Sequence, residues 1–317
     1  MRNIYSNIFK PNKQILTKTI YYLKKNKIVA LPTETVYGLA GNAYSSKSIK
    51  KIYRLKKRPN KNPLIIHYLN LKSASEDINF NSNLKKLYNY FCPGPITFVL
   101  KIKKNSKIDK MARANLNTVA IRFPKNNIAR KILKKIDFPL AMPSANLSSQ
   151  ISPISAYDVV DEFKKNIKIV INGGNSKIGL ESTVVDLTSK PKILRPGIIT
   201  KEKIQSIIKK KVYYQKKIKL LKAPGGLTKH YSPGIPIVMN ANYAPIEHAH
   251  ITFGMRYKNK INSFNLSKKS NLNEAAKNLY KIFRKIKKLG YKKIYISKIP
   301  RKNIGIAIND RIKRAAN

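Results

Sequence analysis

The 317-residue chain has very little of the two residue types that build covalent or metal cross-links. It contains one cysteine, Cys92, and four histidines. A single thiol excludes an intramolecular disulfide framework, and so few histidines leave little material for a structural zinc site. We therefore expect a reducing, cytoplasmic setting.

Long apolar runs are also lacking. No stretch approaches the roughly 18 apolar residues that a membrane-spanning helix needs, and the opening MRNIYSNIFKPNKQ lacks the apolar core of a signal peptide. The sequence thus predicts a soluble, unexported protein with no membrane partner. A hydrophobic content of 42% and the length are sufficient for about two globular domains.

Acidic residues are scarce as well. The chain has 14 Asp and Glu against 66 Lys and Arg, a formal net charge of +52. Such a charge attracts polyanions, and nucleic acid is the obvious candidate. The lysines, however, are spread over the whole chain beside many isoleucines and asparagines. An AT-rich genome favours the codons of all three residue types. Most of the charge is therefore assigned to solvated surface, and direct RNA contact stays one hypothesis.

Familiar nucleotide and metal patterns are missing too. No Walker A pattern and no GxGxxG after a strand occur, so a P-loop or Rossmann nucleotide site has no support. His248 and His250 in EHAH suggest a metal site, but no second histidine pair accompanies them. No metal ligand is assigned to any protein side chain.

The first two thirds of the chain mix strand and helix signals. Strands are predicted at 28–31, 64–68, 96–102, 118–123, 140–142, 167–171, 182–187 and 192–194, and helices at 13–25, 46–57, 82–91, 128–136 and 154–164. The two kinds of element interleave without the regular alternation of a doubly wound sheet. The pattern favours an α/β fold of mixed sandwich type over residues 1–212.

The remaining third divides into a linker and a small domain. Residues 213–234, YYQKKIKLLKAPGGLTKHYSPG, contain two prolines and three glycines, which indicates a linker. Residues 235–317 resume with strand-like IPIVMN, HITFG and KKIYISKIP, an amphipathic helix and a terminal helix. They predict a small second α/β domain.

Polar groups cluster between residues 31 and 67. Thr33 and Thr35 directly follow one apolar strand, Lys56 and Arg58 end a helix, and His67 lies inside another strand. Cations at a helix C-terminus are favoured by the helix dipole, and a lone histidine is more often a core residue, so neither is decisive alone. Their convergence at strand ends predicts a cleft that handles an anion.

Two further segments carry polar residues on strands. Thr118 and Arg122 point to one face of their strand, as Ser182 and Val184 do on theirs. An inward arginine needs an anionic partner, either a carboxylate or a phosphate, and a small acid is one candidate. The PSAN segment at 143–146 follows a strand and is equally consistent with a turn bonded to its own backbone.

Several of these segments occur together in a known order. PTETVYGL, the K-x-R of Lys56 and Arg58, NPLIIH, AIRFP, PSAN, ESTVVD and ILRPG resemble the motifs of the YrdC-like family, the threonylcarbamoyl-AMP synthases. The segments KHYSPG (229–234) and GIAINDRIKRAA (305–316) resemble motifs of the two-domain form of these enzymes. The resemblance implies a YrdC-like twisted α/β sandwich with a positively lined cavity (1–212), a linker over the active site (213–234) and a small Rossmann-like C-terminal domain (235–317).

The resemblance also implies a reaction. L-Threonine, bicarbonate or CO2 and ATP would give L-threonylcarbamoyladenylate, pyrophosphate and water, so the protein would be a nucleotidyltransferase with Mg2+ accompanying ATP. The product would pass to a threonylcarbamoyl-transferase complex that modifies the adenosine next to the anticodon in tRNAs reading codons that begin with A. No protein nucleophile is required.

Site residues follow from the same resemblance, motif by motif. L-Threonine is expected to meet Thr35, His67, Arg122, Met142 and Ser182. ATP is expected to meet Arg58, Asn62, Thr118, Ser144, Asn146, Ser152, Arg195 and Tyr231. Lys56, Arg58 and His67 are expected to act in catalysis, His67 chiefly by positioning threonine.

Two rival interpretations share this fold. The charge favours a non-catalytic double-stranded RNA-binding or ribosome-maturation protein, which loss of a cavity residue would support, yet all are present. A carbamoyltransferase of the hydrogenase-maturation type would carry cysteine-rich zinc modules, which one cysteine excludes.

The linker departs from the family pattern. It lacks the usual methionine and the aromatic residue or arginine before His230, so its packing over the active site is expected to differ.

Overall fold

The computed structural model describes residues 4–215, 230–256 and 261–317. The strands are β1 (Ile8–Phe9), β2 (Val29–Leu31), β3 (Gly38–Asn42), β4 (Ile65–His67), β5 (Ile96–Lys101), β6 (Thr118–Arg122), β7 (Leu140–Ala141), β8 (Val170–Ile171), β9 (Thr183–Asp186), β10 (Lys192–Arg195), β11 (Tyr213–Tyr214), β12 (Ile237–Met239), β13 (Ala249–Thr252), β14 (Ser263–Asn265) and β15 (Ile294–Ile296). The helices are α1 (Lys13–Lys24), α2 (Ser46–Lys56), α3 (Leu71–Ala74), α4 (Ser82–Phe91), α5 (Asn127–Leu133), α6 (Ala156–Phe163), α7 (Lys201–Ile208), α8 (Leu272–Lys288) and α9 (Gly305–Ala316).

The first eleven strands form one large mixed sheet. Their order is β1-β8-β2-β3-β7-β4-β6-β5-β9-β10-β11. At its centre β4 and β6 are parallel, β5 runs antiparallel to β6, and β9 is parallel to β5. This mixture of directions is the α/β sandwich that the sequence predicts, and the fold class is confirmed.

The two faces of the central strands pack against different parts of the molecule, because successive side chains of a strand point to opposite faces. Ile66, Phe98, Ile121 and Val185 belong to the main hydrophobic core. Their neighbours Ile65, Val99, Ala120 and Val184 form a small separate cluster on the other face. His67 and Arg122 share that second face by the same alternation, so the sheet presents them away from the main core.

The C-terminal sheet is small and entirely parallel. Its strand order is β12-β15-β13-β14. Helix α8 packs through a buried stripe that includes Ala275, Leu279, Phe283 and Ile286. A parallel sheet covered by helices agrees with the Rossmann-like expectation.

The large and small sheets are joined by a buried interface. Val36, Ile151, Ile154 and Leu180 belong to the same hydrophobic cluster as the residues of α8 and α9. At Gly179, where φ is +79°, a Cβ atom would lie 2.8 Å from the Cα of Lys277. Only glycine therefore allows the backbone to approach α8 this closely.

Charged residues reinforce this interface on one side. Arg284 of α8 lies 3.7 Å from Asp158 and 3.5 Å from Glu162, and Lys288 lies 2.9 Å from Asp161. The acidic residues all belong to α6. Opposite charges on α6 and α8 thus fix the orientation of the two helices.

Most of the predicted linker, residues 216–229, lies outside the described residues. Tyr213 and Tyr214 at its start pair with β10 as an edge strand. At its end, the His230 amide donates to the Arg314 carbonyl of α9 (3.0 Å), and the Ser232 amide donates to the Ser149 carbonyl (2.8 Å). The end of this segment is therefore attached to both parts of the molecule.

Within the three described ranges, no helix combines the length and the apolar composition needed to cross a bilayer.

Candidate active site

A cavity opens on the second face of the large sheet. Its wall is formed by Thr33, Thr35, Val36, Tyr37, Gly38, Arg58, Ile65, His67, Arg122, Met142, Pro143, Ser144, Glu181, Arg195 and His230. Three of these are arginines, each less than 10% exposed. Buried guanidinium groups stay charged at neutral pH, so the wall is positively charged as predicted.

Arg122 has an anionic partner inside the protein. Its Nη2 donates to Glu34 Oε1 (2.6 Å) and its Nη1 donates to Thr35 Oγ1 (2.9 Å). Burial raises the pKa of the Glu34 carboxyl, but the charge of Arg122 together with the hydrogen bonds from Arg122 and from backbone amides outweighs burial, and the pKa lies below its ordinary value. The inward arginine, for which a small acid was one expected partner, therefore has a carboxylate partner within the protein. Its buried Nε has no hydrogen-bond partner among the described residues.

His67 lies next to Arg122, because the two residues are paired in register on β4 and β6. Its Nδ1 is 3.2 Å from the Ile65 carbonyl oxygen. Burial and then the Arg122 charge lower the pKa of the imidazole well below its ordinary value. His67 is thus a neutral ring at physiological pH, suited to hydrogen bonding rather than to ion pairing.

A β-bulge directs Arg195 towards the cavity. Ile193 pairs with Val185 and Arg195 pairs with Val184, so the register shifts between Ile193 and Arg195. Without the extra residue, Arg195 would point to the same face as Ile193, which is part of the main core. The bulge instead lets Arg195 donate to the Ser182 carbonyl (Nε, 3.1 Å) and to Ser182 Oγ (Nη2, 3.0 Å).

Arg58 is held by neutral groups only a few residues away. Helix α2 ends at Lys56, the next residue Lys57 has the left-handed conformation (φ +49°), and the chain then turns back. Arg58 Nε donates to the Asn62 carbonyl (2.9 Å), and Nη2 donates to Asn62 Oδ1 (2.5 Å) and the Pro63 carbonyl (2.8 Å). Burial lowers its pKa to about 10, which leaves it charged at neutral pH. None of these three bonds is to a carboxylate.

Lys56 points to a loop rather than into the cavity. Its Nζ donates to the carbonyls of Ser144 and Asn146, both at 2.5 Å. Asn146 in turn donates from Nδ2 to the carbonyls of Leu147 (2.7 Å) and Gln150 (2.8 Å). Burial and the Arg58 charge lower the pKa of Lys56 well below its ordinary value. The two residues therefore hold the PSAN loop, which carries the Ser144 of the wall.

The predicted site residues divide into two groups. The structure places seven of them in the cavity wall, namely Thr35, Arg58, His67, Arg122, Met142, Ser144 and Arg195. The others lie outside the wall and comprise Lys56, Asn62, Thr118, Asn146, Ser152, Ser182 and Tyr231. Thr118 begins β6, four residues away from Arg122 at its other end, and Tyr231 is fully buried behind His230.

Two acidic residues and one histidine of the site were not predicted, although each lies inside a motif. Glu34 stands in PTETVYGL, Glu181 in ESTVVD and His230 in KHYSPG. Burial raises the pKa of Glu181, but Arg311 and Arg195 outweigh this and lower it to about 2. Burial is the main cause that lowers the pKa of His230 to about 3. The wall therefore also contains a carboxylate and a second neutral imidazole.

Taken together, the fold and the cavity define an α/β protein with a buried, arginine-lined pocket for anionic small molecules. Residues 21–197 match the Sua5/YciO/YrdC family, described as "Telomere recombination". Residues 199–317 match the family described as "Threonylcarbamoyl-AMP synthase, C-terminal domain". The chain belongs to the Sua5/YciO/YrdC family, which confirms the resemblance inferred from its motifs.

Individual relatives agree along most of the chain. The threonylcarbamoyl-AMP synthase of Pyrococcus abyssi is 32% identical over 93% of this chain and 92% of its own length. The enzyme of that name from Bacillus subtilis is 38% identical over 68% of this chain and 64% of its own length. The crystal structure of P. abyssi Sua5 complexed with L-threonine superposes with a TM-score of 0.89 at 30% identity, covering 98% of this chain and 96% of that one. Escherichia coli YciO, at 22% identity and a TM-score of 0.54 over 61% of this chain and 96% of its own, shares the fold.

Proposed function

We propose that the chain is a threonylcarbamoyl-AMP synthase, a nucleotidyltransferase that converts L-threonine, bicarbonate or CO2 and ATP into L-threonylcarbamoyladenylate, pyrophosphate and water. The supporting observation is the cavity wall, where Arg58, Arg122 and Arg195 meet hydroxyls and a neutral histidine. The similarity to enzymes of this name over nearly the whole chain supports the same conclusion.

L-Threonine would bind at the Arg122 end of the cavity. The unpartnered Nε of Arg122 offers a charged donor to the substrate carboxylate, and Thr35 and the neutral His67 line the same region. Arg122 is also fixed by Glu34, so little reorganisation accompanies binding. Ser182 lies just behind the wall and would contact threonine after a small movement of its side chain.

ATP would bind at the Arg58 and Arg195 end. Among the residues that the structure describes, neither guanidinium is hydrogen-bonded to a carboxylate, so their charge is open to phosphate oxygens. Arginine matches phosphate geometry through two parallel donors. Ser144 of the wall and the loop held by Lys56 would complete the nucleotide side.

The chemistry is an electrostatic problem. Bicarbonate supplies CO2 with release of water, and a neutral threonine amine takes up the CO2 and loses a proton to solvent. The resulting carbamate oxygen forms a bond to the α-phosphorus of ATP while the bond to pyrophosphate breaks. One anion must therefore approach another. Fixed arginines in a water-poor cavity reduce this repulsion and stabilise the charge that moves onto pyrophosphate, while binding supplies the alignment.

Mg2+ would enter with ATP rather than reside in the protein. In residues 4–215, 230–256 and 261–317, no group of three His, Cys, Asp or Glu side chains could hold a metal ion. Mg2+ that accompanies a nucleotide substrate is usually bound mainly by phosphate oxygens and water. Such an ion would need few ligands from the protein.

Downstream, the adenylate would be used by a threonylcarbamoyl-transferase complex that modifies the adenosine next to the anticodon in tRNAs reading codons that begin with A. The basic surface would favour contact with RNA, with a strong dependence on salt. The rival function, a non-catalytic double-stranded RNA-binding protein, would need no threonine and no nucleotide.

The test is pyrophosphate release in the presence of L-threonine, bicarbonate, ATP and Mg2+. We expect release that depends on threonine and on bicarbonate. Pyrophosphate release that persists without threonine would indicate hydrolysis of ATP to AMP and pyrophosphate, and RNA binding without any release would favour the non-catalytic alternative.

A further inference from the structure

The cavity contains a negative charge at a place where an anionic substrate is expected. Glu181 lies in the wall, is 5% exposed and stays ionised at neutral pH. A buried carboxylate repels phosphate groups more strongly than an exposed one, because little water screens it. A positive charge must offset the negative charge of Glu181 if the Arg195 end of the cavity is to accept ATP.

The offsetting charge comes from the C-terminal domain. Arg311 of α9 is completely buried, and its Nε donates to Glu181 Oε2 at 2.8 Å. Tyr280 of α8 donates its hydroxyl to the same carboxylate, 3.1 Å from each oxygen. Glu181 is thus held by two residues that lie about a hundred positions or more further along the chain.

Arg311 also contacts two other segments of the site. Its Nη2 donates to the carbonyl of Pro196, the neighbour of Arg195, at 3.0 Å. Its guanidinium carbon is 4.9 Å from the ring centroid of Tyr231, which follows the wall residue His230. Its Nη1 donates to Asp310 at 2.7 Å. The Arg311 side chain therefore links the ESTVVD segment, the RPG segment (Arg195, Pro196 and Gly197, the end of the ILRPG motif) and the end of the linker.

The charges of the wall show why this matters. Glu34 is paired with Arg122, and the cation that acts on Glu181 besides Arg311 is Arg195. If Arg311 were absent, Glu181 would offset Arg195. Within the described part of the chain, Arg58 would then be the one arginine of the wall without a neighbouring carboxylate. The nucleotide end of the cavity would lose much of its attraction for phosphate.

We propose that Arg311 is a positioning residue for ATP: by pairing with Glu181, it leaves Arg195 to the nucleotide and makes ATP binding depend on the docked C-terminal domain. This inference rests on the proposed function, since it assumes that ATP occupies the Arg195 end. It assigns to the small domain a direct electrostatic contribution to the site.

The experiment measures the ATP dissociation constant by titration calorimetry and the KM for ATP and for L-threonine on the full chain. Arg311→Met is expected to weaken ATP binding at least tenfold and to change the KM for threonine less than threefold. Arg311→Met combined with Glu181→Gln is expected to recover most of the lost ATP affinity, because the uncompensated carboxylate is gone. A purely structural role would show no such recovery.

Arg284→Met is the matched control. Arg284 also joins the C-terminal domain to the rest of the chain, but its partners Asp158 and Glu162 lie outside the cavity wall. We expect ATP affinity within twofold of the parent in this variant, even if thermal stability falls. Equal losses of ATP affinity in both single variants would overturn the proposal, because docking alone would then explain them.

A second pair keeps the test decisive if Arg311→Met does not fold. Glu181→Gln is compared with the double variant Glu181→Gln, Arg311→Met, in which the buried charge pair is removed. ATP affinities within threefold of one another support the proposal, whereas a tenfold difference contradicts it. If the parent protein binds ATP but releases no pyrophosphate with threonine, the proposed function fails while this comparison can still be made.

Discussion

At the scale of single residues, the arginines of the cavity differ in how much of their charge is already used. Arg122 is paired with Glu34, whereas Arg58 and Arg195 are held by carbonyl, amide and hydroxyl oxygens. Neutral partners orient a guanidinium without cancelling its charge. The phosphates of ATP are therefore expected to interact chiefly with Arg58 and Arg195.

Replacement of Arg58 tests this directly. We expect Arg58→Ala to lower kcat/KM for ATP by about a hundredfold or more, because a fixed charge near the reacting phosphates is lost. Arg54→Ala is the control, since Arg54 lies exposed on α2, the helix that precedes Arg58. Steady-state pyrophosphate release measures both variants, and equal kinetics in the two would leave the phosphate role of Arg58 without support.

Ser182 provides a second residue-scale prediction. Its hydroxyl lies 2.8 Å from Thr97 Oγ1 and accepts from Arg195. We expect Ser182→Ala to raise the KM for L-threonine about tenfold, the effect of losing one good hydrogen bond, with a smaller change in kcat. Ser206→Ala on the exposed side of α7 serves as the control. A variant whose KM for ATP changes while that for threonine does not would place Ser182 on the nucleotide side instead.

Seven wall residues could be predicted from the sequence, because each lies in a short motif whose order identifies the family. Glu34 and Glu181 stand in the same motifs but were not predicted. Their roles depend on partners 88 and 130 positions away, Arg122 and Arg311. Pairs so distant in sequence form only through the fold, and no local pattern indicates them.

At the scale of elements, most helices and strands were predictable, including the two-residue strands β7 and β8, whereas β1, β3, β11, β14, α3 and α7 were not. The apolar periodicity of β5, β6, α2 and α8 extends over enough residues to be recognised. Strands β1 and β11 have two residues each, and β3 reads GLAGN, with no β-branched residue. Such segments become strands because a neighbouring strand is available for pairing, which the sequence of the segment does not show.

The bulge in β10 is an element-scale feature that can be tested. Gly197 follows it, and a Cβ atom there would lie 2.5 Å from the Thr183 amide nitrogen. We expect Gly197→Ala to lower the free energy of unfolding by about 1–3 kcal/mol, because the contact is with backbone that cannot easily move. Urea denaturation measures this.

Gly174→Ala is the variant with which Gly197→Ala is compared. Gly174 has a φ of +75° and nothing within 4 Å of an added Cβ atom. It therefore reports backbone strain alone, which we expect to cost about 1 kcal/mol. A smaller loss for Gly197→Ala than for Gly174→Ala would contradict the close packing of the RPG segment against β9.

At the scale of the whole molecule, the two parts of the chain act as one site. The division at residues 212 and 234 remains a prediction, and no sequence pattern indicated that α8 and α9 pack against the cavity wall. The structure brings Tyr280 and Arg311 of the C-terminal part to Glu181 in the cavity wall. Composition could indicate a linker, but the buried interface depends on residues that become neighbours only on folding.

Two buried neutral histidines predict how the stability of the whole molecule depends on pH. Folding lowers the pKa of His230 from 6.5 to about 3 and that of His67 well below 6.5, chiefly through burial. Glu181, Arg58, Lys56 and Arg195 also act on His230, and Arg122 acts on His67. Below pH 6.5 the unfolded chain therefore binds protons that the folded chain does not bind.

Stability should accordingly fall as the pH is lowered from 6.5. Each such histidine contributes up to about 1.4 kcal/mol per pH unit. Thermal unfolding between pH 7.5 and 5 should show a decreasing Tm, and His230→Gln should reduce the slope. A constant Tm over this range would contradict the buried, neutral state of both rings.

The central claim is that one cavity joins an amino-acid carbamate to a nucleotide. Its most direct test is mass spectrometry of the adenylate formed from L-threonine, ATP, Mg2+ and 13C-bicarbonate. The account predicts threonylcarbamoyl-AMP that carries the isotope in its carbamoyl carbon and is absent without the protein. Formation of AMP or threonyl-AMP without incorporated label would contradict it.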